Sequence, residues 1–212
     1  EWMETDLRLT ADGIVVLSHD EDLRRTANDP RTVGEVMWAE LADLDSGDGR
    51  GFVRLDDALY SHPTMKFNVD LKDSNVVQAA LQTVRDAKAL DRVRFASFSA
   101  RRLAVLRRQE PRAMTSLGVS DVLGLMLRSE AAVPLPQTRW GWTRGRADAV
   151  QVPESYHGVP VVTRRFVASA HTAGLEVHVW TVDDPEQMRQ LAELNVDAIM
   201  TDVPTLALKA LG

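Results

Sequence analysis

Two strands in this chain carry a polar face that an ordinary parallel sheet has no way to bury. In Met65-Lys66-Phe67-Asn68-Val69-Asp70-Leu71-Lys72, alternation puts Asn68, Asp70 and Lys72 on one face and Phe67, Val69 and Leu71 on the other. A buried parallel strand is ordinarily apolar on both faces. Three different polar types on one face need an explanation, and the inner, C-terminal mouth of a strand barrel supplies one. The opening stretch EWMETDLRLTADGIVVLSHD has the same character. Residues 1–9 read as a strand, Ala11-Asp12-Gly13 as a turn, and 14–17 as an apolar strand that ends at Ser18-His19-Asp20. Trp2, Glu4 and Asp6 share one face of the first strand. Carboxylates two residues apart on a strand face lie about 7 Å apart and repel when both are ionised. Water at a strand end relieves that repulsion. So does a bound hard cation, which prefers carboxylate oxygens.

Beyond these strands the chain alternates strand and helix to its end. A polar loop over 21–31 turns at Asn28-Asp29-Pro30, and the glycines of 46–51 mark a flexible stretch that could border a site. Those glycines do not follow a strand and open a helix, which excludes a dinucleotide site. Helices are expected over 37–44, 55–61, 75–90, 120–128 with Ser120 as cap, 163–173 and 204–211. Another helix is capped by Ser99 and ends before Pro111, and one more opens at Asp184-Pro185-Glu186. Strands are expected over 65–71, 93–97, 113–117, 147–152, 175–182 and 198–201. The proline- and tryptophan-rich segment 131–146, with Trp140 and Trp142, receives no assignment. Strands separated by helices imply a parallel sheet, and their number suits a closed barrel better than an open sheet.

The residues Glu4, Asp6, Thr10, Asp12, Gly13, Val16, His19, Asp20, Leu23, Arg25 and Thr26 spell E-x-D-x-x-x-T-x-D-G-x-x-V-x-x-H-D-x-x-L-x-R-T. This pattern closely resembles the glycerophosphodiester phosphodiesterase family. Shorter matches follow in the family's order. They are Thr32 to Val36, Glu40-Leu41 with Leu44-Asp45-Ser46-Gly47, Asn68-Val69-Asp70-Leu71-Lys72, Ser97-Phe98, Trp180-Thr181-Val182-Asp183, and the run from Val196 to Pro204. The resemblance implies one α/β domain over residues 1–212, a TIM (β/α)8 barrel lacking its first strand and helix in this chain. The family's opening H-R-G strand and P-E-N-T segment are not found, so the natural protein is expected to be longer at its N-terminus. One family histidine, an arginine and an acidic residue would lie in that part. Asp70 also stands where the family usually has Glu, a carboxylate shorter by one methylene.

Composition fits this picture and closes other routes. The net charge is −6 and no basic run is long enough to suggest nucleic acid. There is no cysteine, which excludes disulfides and thiolate metal sites. No apolar run is long enough to span a membrane, no signal peptide is visible, and a cytoplasmic location is expected. Of the histidines, His178 reads as a hydrogen-bonded interior residue, and His62, His157 and His171 as surface or packing residues.

By resemblance, the activity is metal-dependent hydrolysis of small glycerophosphodiesters to sn-glycerol 3-phosphate and an alcohol. Glu4, Asp6 and Asp70 would hold a divalent cation, Ca²⁺ or Mg²⁺. Lys72 would sit on the phosphate as a point charge; its alternative is a structural ion pair with one of those acids. His19 would act as general acid or base, against the plainer reading of a loop histidine. Trp180, sharing a face with Glu176 and His178, is either a substrate contact or a core residue. Two other functions stay open, a non-catalytic relative that binds glycerophosphoryl groups and a barrel phospholipase D acting on lysolipids.

Overall fold

A computed structural model describes residues 2–47, 49–130 and 147–212, so the unassigned stretch with Trp140 and Trp142 lies outside the described residues. The chain packs as two compact units. One comprises Glu1–Ser97 with Val105–Met114, the other Phe98–Ala104 with Thr115–Gly212.

The first unit is built on a sheet that starts with a hairpin. β1 (Trp2–Leu9) pairs antiparallel with β2 (Val15–Leu17). The Thr10 hydroxyl donates to Asp12 Oδ1 and accepts from the Ile14 amide, which fixes the turn. Gly13 takes the positive φ of 82° that this turn needs. The expected loop over 21–31 contains a short helix, α1 (Arg24–Ala27), closed by Asn28 at φ 53°. Then follow α2 (Trp38–Ala42), β3 (Val53–Arg54), antiparallel to β2, and α3 (Leu55–Ser61). β4 (Lys66–Leu71) returns parallel to β1. α4 (Val76–Asp86) leads to β5 (Val93–Ala96), parallel to β4. α5 (Ala100–Gln109) and β6 (Met114–Thr115) contribute residues to both units. The sheet order is β3-β2-β1-β4-β5-β6.

Leu7, Phe67, Val69, Leu71 and Phe95 pack against Leu55 and Leu59 of α3 and Val77, Leu81 and Val84 of α4. The helices thus cover the apolar face of the sheet, and the polar residues of β1 and β4 lie on its other face. α4 contains the apolar residues Val77, Leu81 and Val84 but ends short of the expected residue 90. Lys88 adopts φ 51° and the Ala89 amide returns to the Val84 carbonyl, a left-handed ending made without glycine.

The second unit contains α6 (Val119–Glu130), β7 (Ala149–Val152), β8 (Ser155–Tyr156), β9 (Val159–Pro160) and α7 (Arg164–Thr172). It ends with β10 (Glu176–Val179), α8 (Pro185–Glu193), β11 (Ala198–Ile199) and α9 (Pro204–Leu211). β10 lies between β7 and β11, parallel to both. Val150, Val177, Val179, Phe166 and Leu191 form the core of this unit. Thr163 caps α7 through the Phe166 amide, and Asp184 caps α8 through the amides of Glu186 and Gln187. α6 starts one residue before the expected cap, because the Gly118 carbonyl receives the amides of Asp121 and Val122; Ser120 sits inside the first turn. The hairpin β8–β9 was not anticipated. Its turn puts His157 and Gly158 at φ 49° and 79°, two positive values in succession, as tight hairpins require.

Candidate active site

The polar face of the first unit gathers its charges where β1 and β4 end. Glu4 stands opposite Asn68 and Asp6 opposite Asp70 in the parallel register. Lys72 follows β4, and its Nζ lies 2.7 Å from Asp6 Oδ1 and 2.9 Å from Asp70 Oδ2. The lysine therefore pairs with two of the expected cation ligands at once. Desolvation works against its charge, yet the hydrogen bonds to Asp6 and Asp70 prevail and hold its pKa above the ordinary value. Glu4 shows the converse. Its carboxyl is pushed up to about 7, by desolvation first and then by the charges of Asp6 and Asp70, against the lowering influence of Lys72 and His19. Glu4 keeps contact with solvent, so the neighbouring carboxylates are the firmer cause.

Among the described residues no three Asp, Glu or His side chains form a ready-made metal cage; an ammonium holds the place between Asp6 and Asp70. The donor set still suits a hard cation. Three carboxyl groups share one neighbourhood with one lysine, and among the described residues Asp70 Oδ1 is buried without a hydrogen-bond partner. A buried carboxylate oxygen lacking a donor is costly, and oxygen is the ligand that Ca²⁺ or Mg²⁺ selects.

His19 leaves the end of β2 beside this cluster, and the Ser18 amide donates to the Asp6 carbonyl. Its backbone is clamped: Arg8 donates to the His19 carbonyl from Nε at 3.3 Å and from Nη2 at 3.1 Å, while Arg8 Nη1 pairs with Asp73 at 2.8 Å. Its ring Nδ1 is 2.8 Å from Asp20 Oδ1, and Arg25 Nε is 2.6 Å from Asp20 Oδ2. A hollow of about 220 Å³ opens beside His19, walled in part by Ser46, Gly51 and Phe52. From the stretch expected to be flexible, Ser46 and Gly51 line this hollow, and the Asp45 carboxylate accepts from the amides of Gly47 and Gly49.

Of the expected site residues, Glu4, Asp6, His19, Asp70 and Lys72 belong to the first unit and Trp180 to the second. Trp180 follows β10, its amide bonds the Val152 carbonyl, and its ring meets Phe98 edge to face with centroids 5.9 Å apart. Phe98 is 59% exposed, so the pair presents apolar surface to solvent. His178 is buried, as expected, with ring nitrogens next to Glu176 and Gln151. His171 pairs with Asp197 on the surface. Arg94 escaped the sequence reading. It stands opposite Asn68 on β5, only 2% exposed, with its guanidinium 4.6 Å from the centre of the Trp2 ring. A cation alternating with apolar residues in Val93-Arg94-Phe95-Ala96 was the available signal.

Comparison with known proteins identifies the family. Residues 2–206 match the model of the glycerophosphoryl diester phosphodiesterase family. A Mycobacterium tuberculosis protein named "probable glycerophosphodiester phosphodiesterase 2" is 34% identical over 203 residues, which span 95% of this chain and 75% of that protein. A glycerophosphodiester phosphodiesterase structure from Agrobacterium tumefaciens superposes with a TM-score of 0.77 at 25% identity, covering 98% of this chain and 86% of that one. An Oleispira antarctica phosphodiesterase, solved with its product sn-glycerol-3-phosphate, gives 0.78 at 21% identity and covers all of this chain and 85% of its own. These neighbours share the (β/α) barrel fold expected from the strand and helix alternation. The chain belongs to the glycerophosphoryl diester phosphodiesterase family.

Proposed function

We propose that this protein hydrolyses glycerophosphodiesters in a cation-dependent reaction that yields sn-glycerol 3-phosphate and an alcohol. Family membership supports the reaction class. The observation that carries the cation dependence is the excess of carboxylates around Lys72, seen in the raised Glu4 and in the unpartnered oxygen of Asp70. Glu4, Asp6 and Asp70 would hold Ca²⁺ or Mg²⁺. Such a cation, when bound, polarises phosphoryl oxygens and offsets their charge.

The chain's own residues then have definite tasks. Lys72, already poised between two carboxylates, can trade one of them for a phosphate oxygen and so orient the diester. His19 moves a proton through Nε2, since Nδ1 is engaged with Asp20.

The test is release of glycerol 3-phosphate from glycerophosphocholine and glycerophosphoethanolamine, with and without a chelator, for the parent and for Asp70→Asn. Turnover that the chelator abolishes and that falls by at least about 100-fold in Asp70→Asn is expected. Chelator-insensitive turnover, or an Asp70→Asn variant as fast as the parent, would overturn the cation assignment.

A further inference from the structure

We propose that Asp20 and Arg25 are positioning residues that fix the His19 ring in one tautomer, with its proton on Nδ1, so that Nε2 is the atom facing the substrate. This rests on the reading of His19 as the proton carrier given above. The geometry is a three-member chain. Arg25 Nε donates to Asp20 Oδ2 at 2.6 Å, and Asp20 Oδ1 lies 2.8 Å from His19 Nδ1. The Asp20 carboxyl is held below the usual carboxylate range, first by Arg25 and then by His19, so it is ionised near neutrality. An ionised carboxylate can only accept, so Nδ1 must be the donor and the neutral ring leaves Nε2 bare.

The arrangement is poorly suited to any purpose except aiming the ring. The His19 side chain is 68% exposed and that of Arg25 is 70% exposed. Ion pairs so open to water add little stability. An exposed imidazole without a tether would sample its rotamers and both tautomers. Arg25 reaches Asp20 because α1 turns the chain back, and α1 is anchored next to Leu23, which is fully buried with Val16, Val33, Val36 and Leu41. Arg8 holds the histidine's backbone from the other side. Main chain and ring are thus fixed by separate groups.

A near-isosteric change discriminates. In Asp20→Asn the arginine still demands an oxygen, so the amide turns its oxygen to Arg25 and its NH₂ to His19. Nδ1 is then forced to accept and the proton moves to Nε2, the wrong atom. Removing the arginine as well frees the amide to turn back, so Asp20→Asn/Arg25→Ala should recover what Asp20→Asn alone loses. A structural role for the pair would make the double variant worse, not better.

The experiment combines ¹⁵N spectra of the imidazole rings of the whole protein, with His19 identified through His19→Gln, and steady-state kinetics. Nδ1–H is expected in the parent, Nε2–H in Asp20→Asn and Nδ1–H again in the double variant. For Asp20→Asn, kcat should fall about 100-fold with KM within about twofold, and the double variant should regain about tenfold. Asp20→Asn retaining Nδ1–H, or a double variant slower than Asp20→Asn, would overturn the proposal. If the parent shows no turnover, the hydrolase reading fails, while the spectra still decide whether Asp20 and Arg25 set the tautomer.

Discussion

Asp6 and Asp70 stand opposite each other on adjacent parallel strands, and the single ammonium of Lys72 bridges them. Removing one partner from a largely buried ion cluster leaves charge uncompensated, at about 3–5 kcal/mol when burial is complete. These side chains are 11–19% exposed, so Lys72→Met should cost about 2 kcal/mol in the presence of a chelator. That corresponds to a melting point lower by about 4–8 °C. Millimolar Ca²⁺ should recover much of the loss, because the vacated carboxylates then face a cation. Thermal denaturation in chelator and in Ca²⁺ checks both statements, and a Lys72→Met protein indifferent to Ca²⁺ would contradict the second.

The raised Glu4 makes stability fall as pH rises. The folded protein keeps this proton up to about 7, whereas the ordinary value is 4.5. Between those values the folded state therefore binds more protons than the unfolded chain, and stability declines as pH increases through the window. In chelator, the melting temperature of Glu4→Gln should decline less than that of the parent between pH 5 and 8. Cation affinity should move the other way, rising over the same range as the proton leaves. Parallel melting curves for the two proteins would remove Glu4 from the cluster.

Gly118 illustrates a constraint of space rather than of backbone angle. A Cβ there would lie 2.3 Å from the Ala100 amide nitrogen and 2.5 Å from its Cα, both main-chain atoms that cannot rotate away. Gly118→Ala should force the starts of α5 and α6 apart at a cost of about 3 kcal/mol or more. Denaturant unfolding measures it; a cost under about 1 kcal/mol would show that the two helix starts yield easily.

Much of the architecture was legible because it depends on neighbours along the chain. α3 and α9 occupy the expected residues 55–61 and 204–211, and caps such as Thr163 and Asp184 act where their residue types suggest. The alternation in β1 and β4 placed Glu4, Asp6, Asp70 and Lys72 on common strand faces, and the register then brought the faces together. What escaped depends on tertiary contact or on unusual backbone. Lys88 ends α4 in a left-handed conformation that glycine usually announces, and His157 helps make a tight turn where an asparagine would have been plainer. Arg94 is one residue of a short strand by sequence, and only tertiary contact sets Asn68 and Trp2 beside it. The tether from Arg25 to Asp20 spans five positions, and only the turn of α1 makes it short.

Arg8 touches the chain on both sides of the candidate site, holding the His19 carbonyl with one edge of its guanidinium and Asp73 with another nitrogen. Asp73 adjoins Lys72, so the segments carrying His19 and Lys72 are ordered relative to each other during folding. Their conformational entropy is lost then, not when a ligand arrives. Binding energy that a slack pair of loops would consume in becoming ordered stays available for holding the diester in a reactive geometry, and encounter need not wait for a rearrangement on this side of the site.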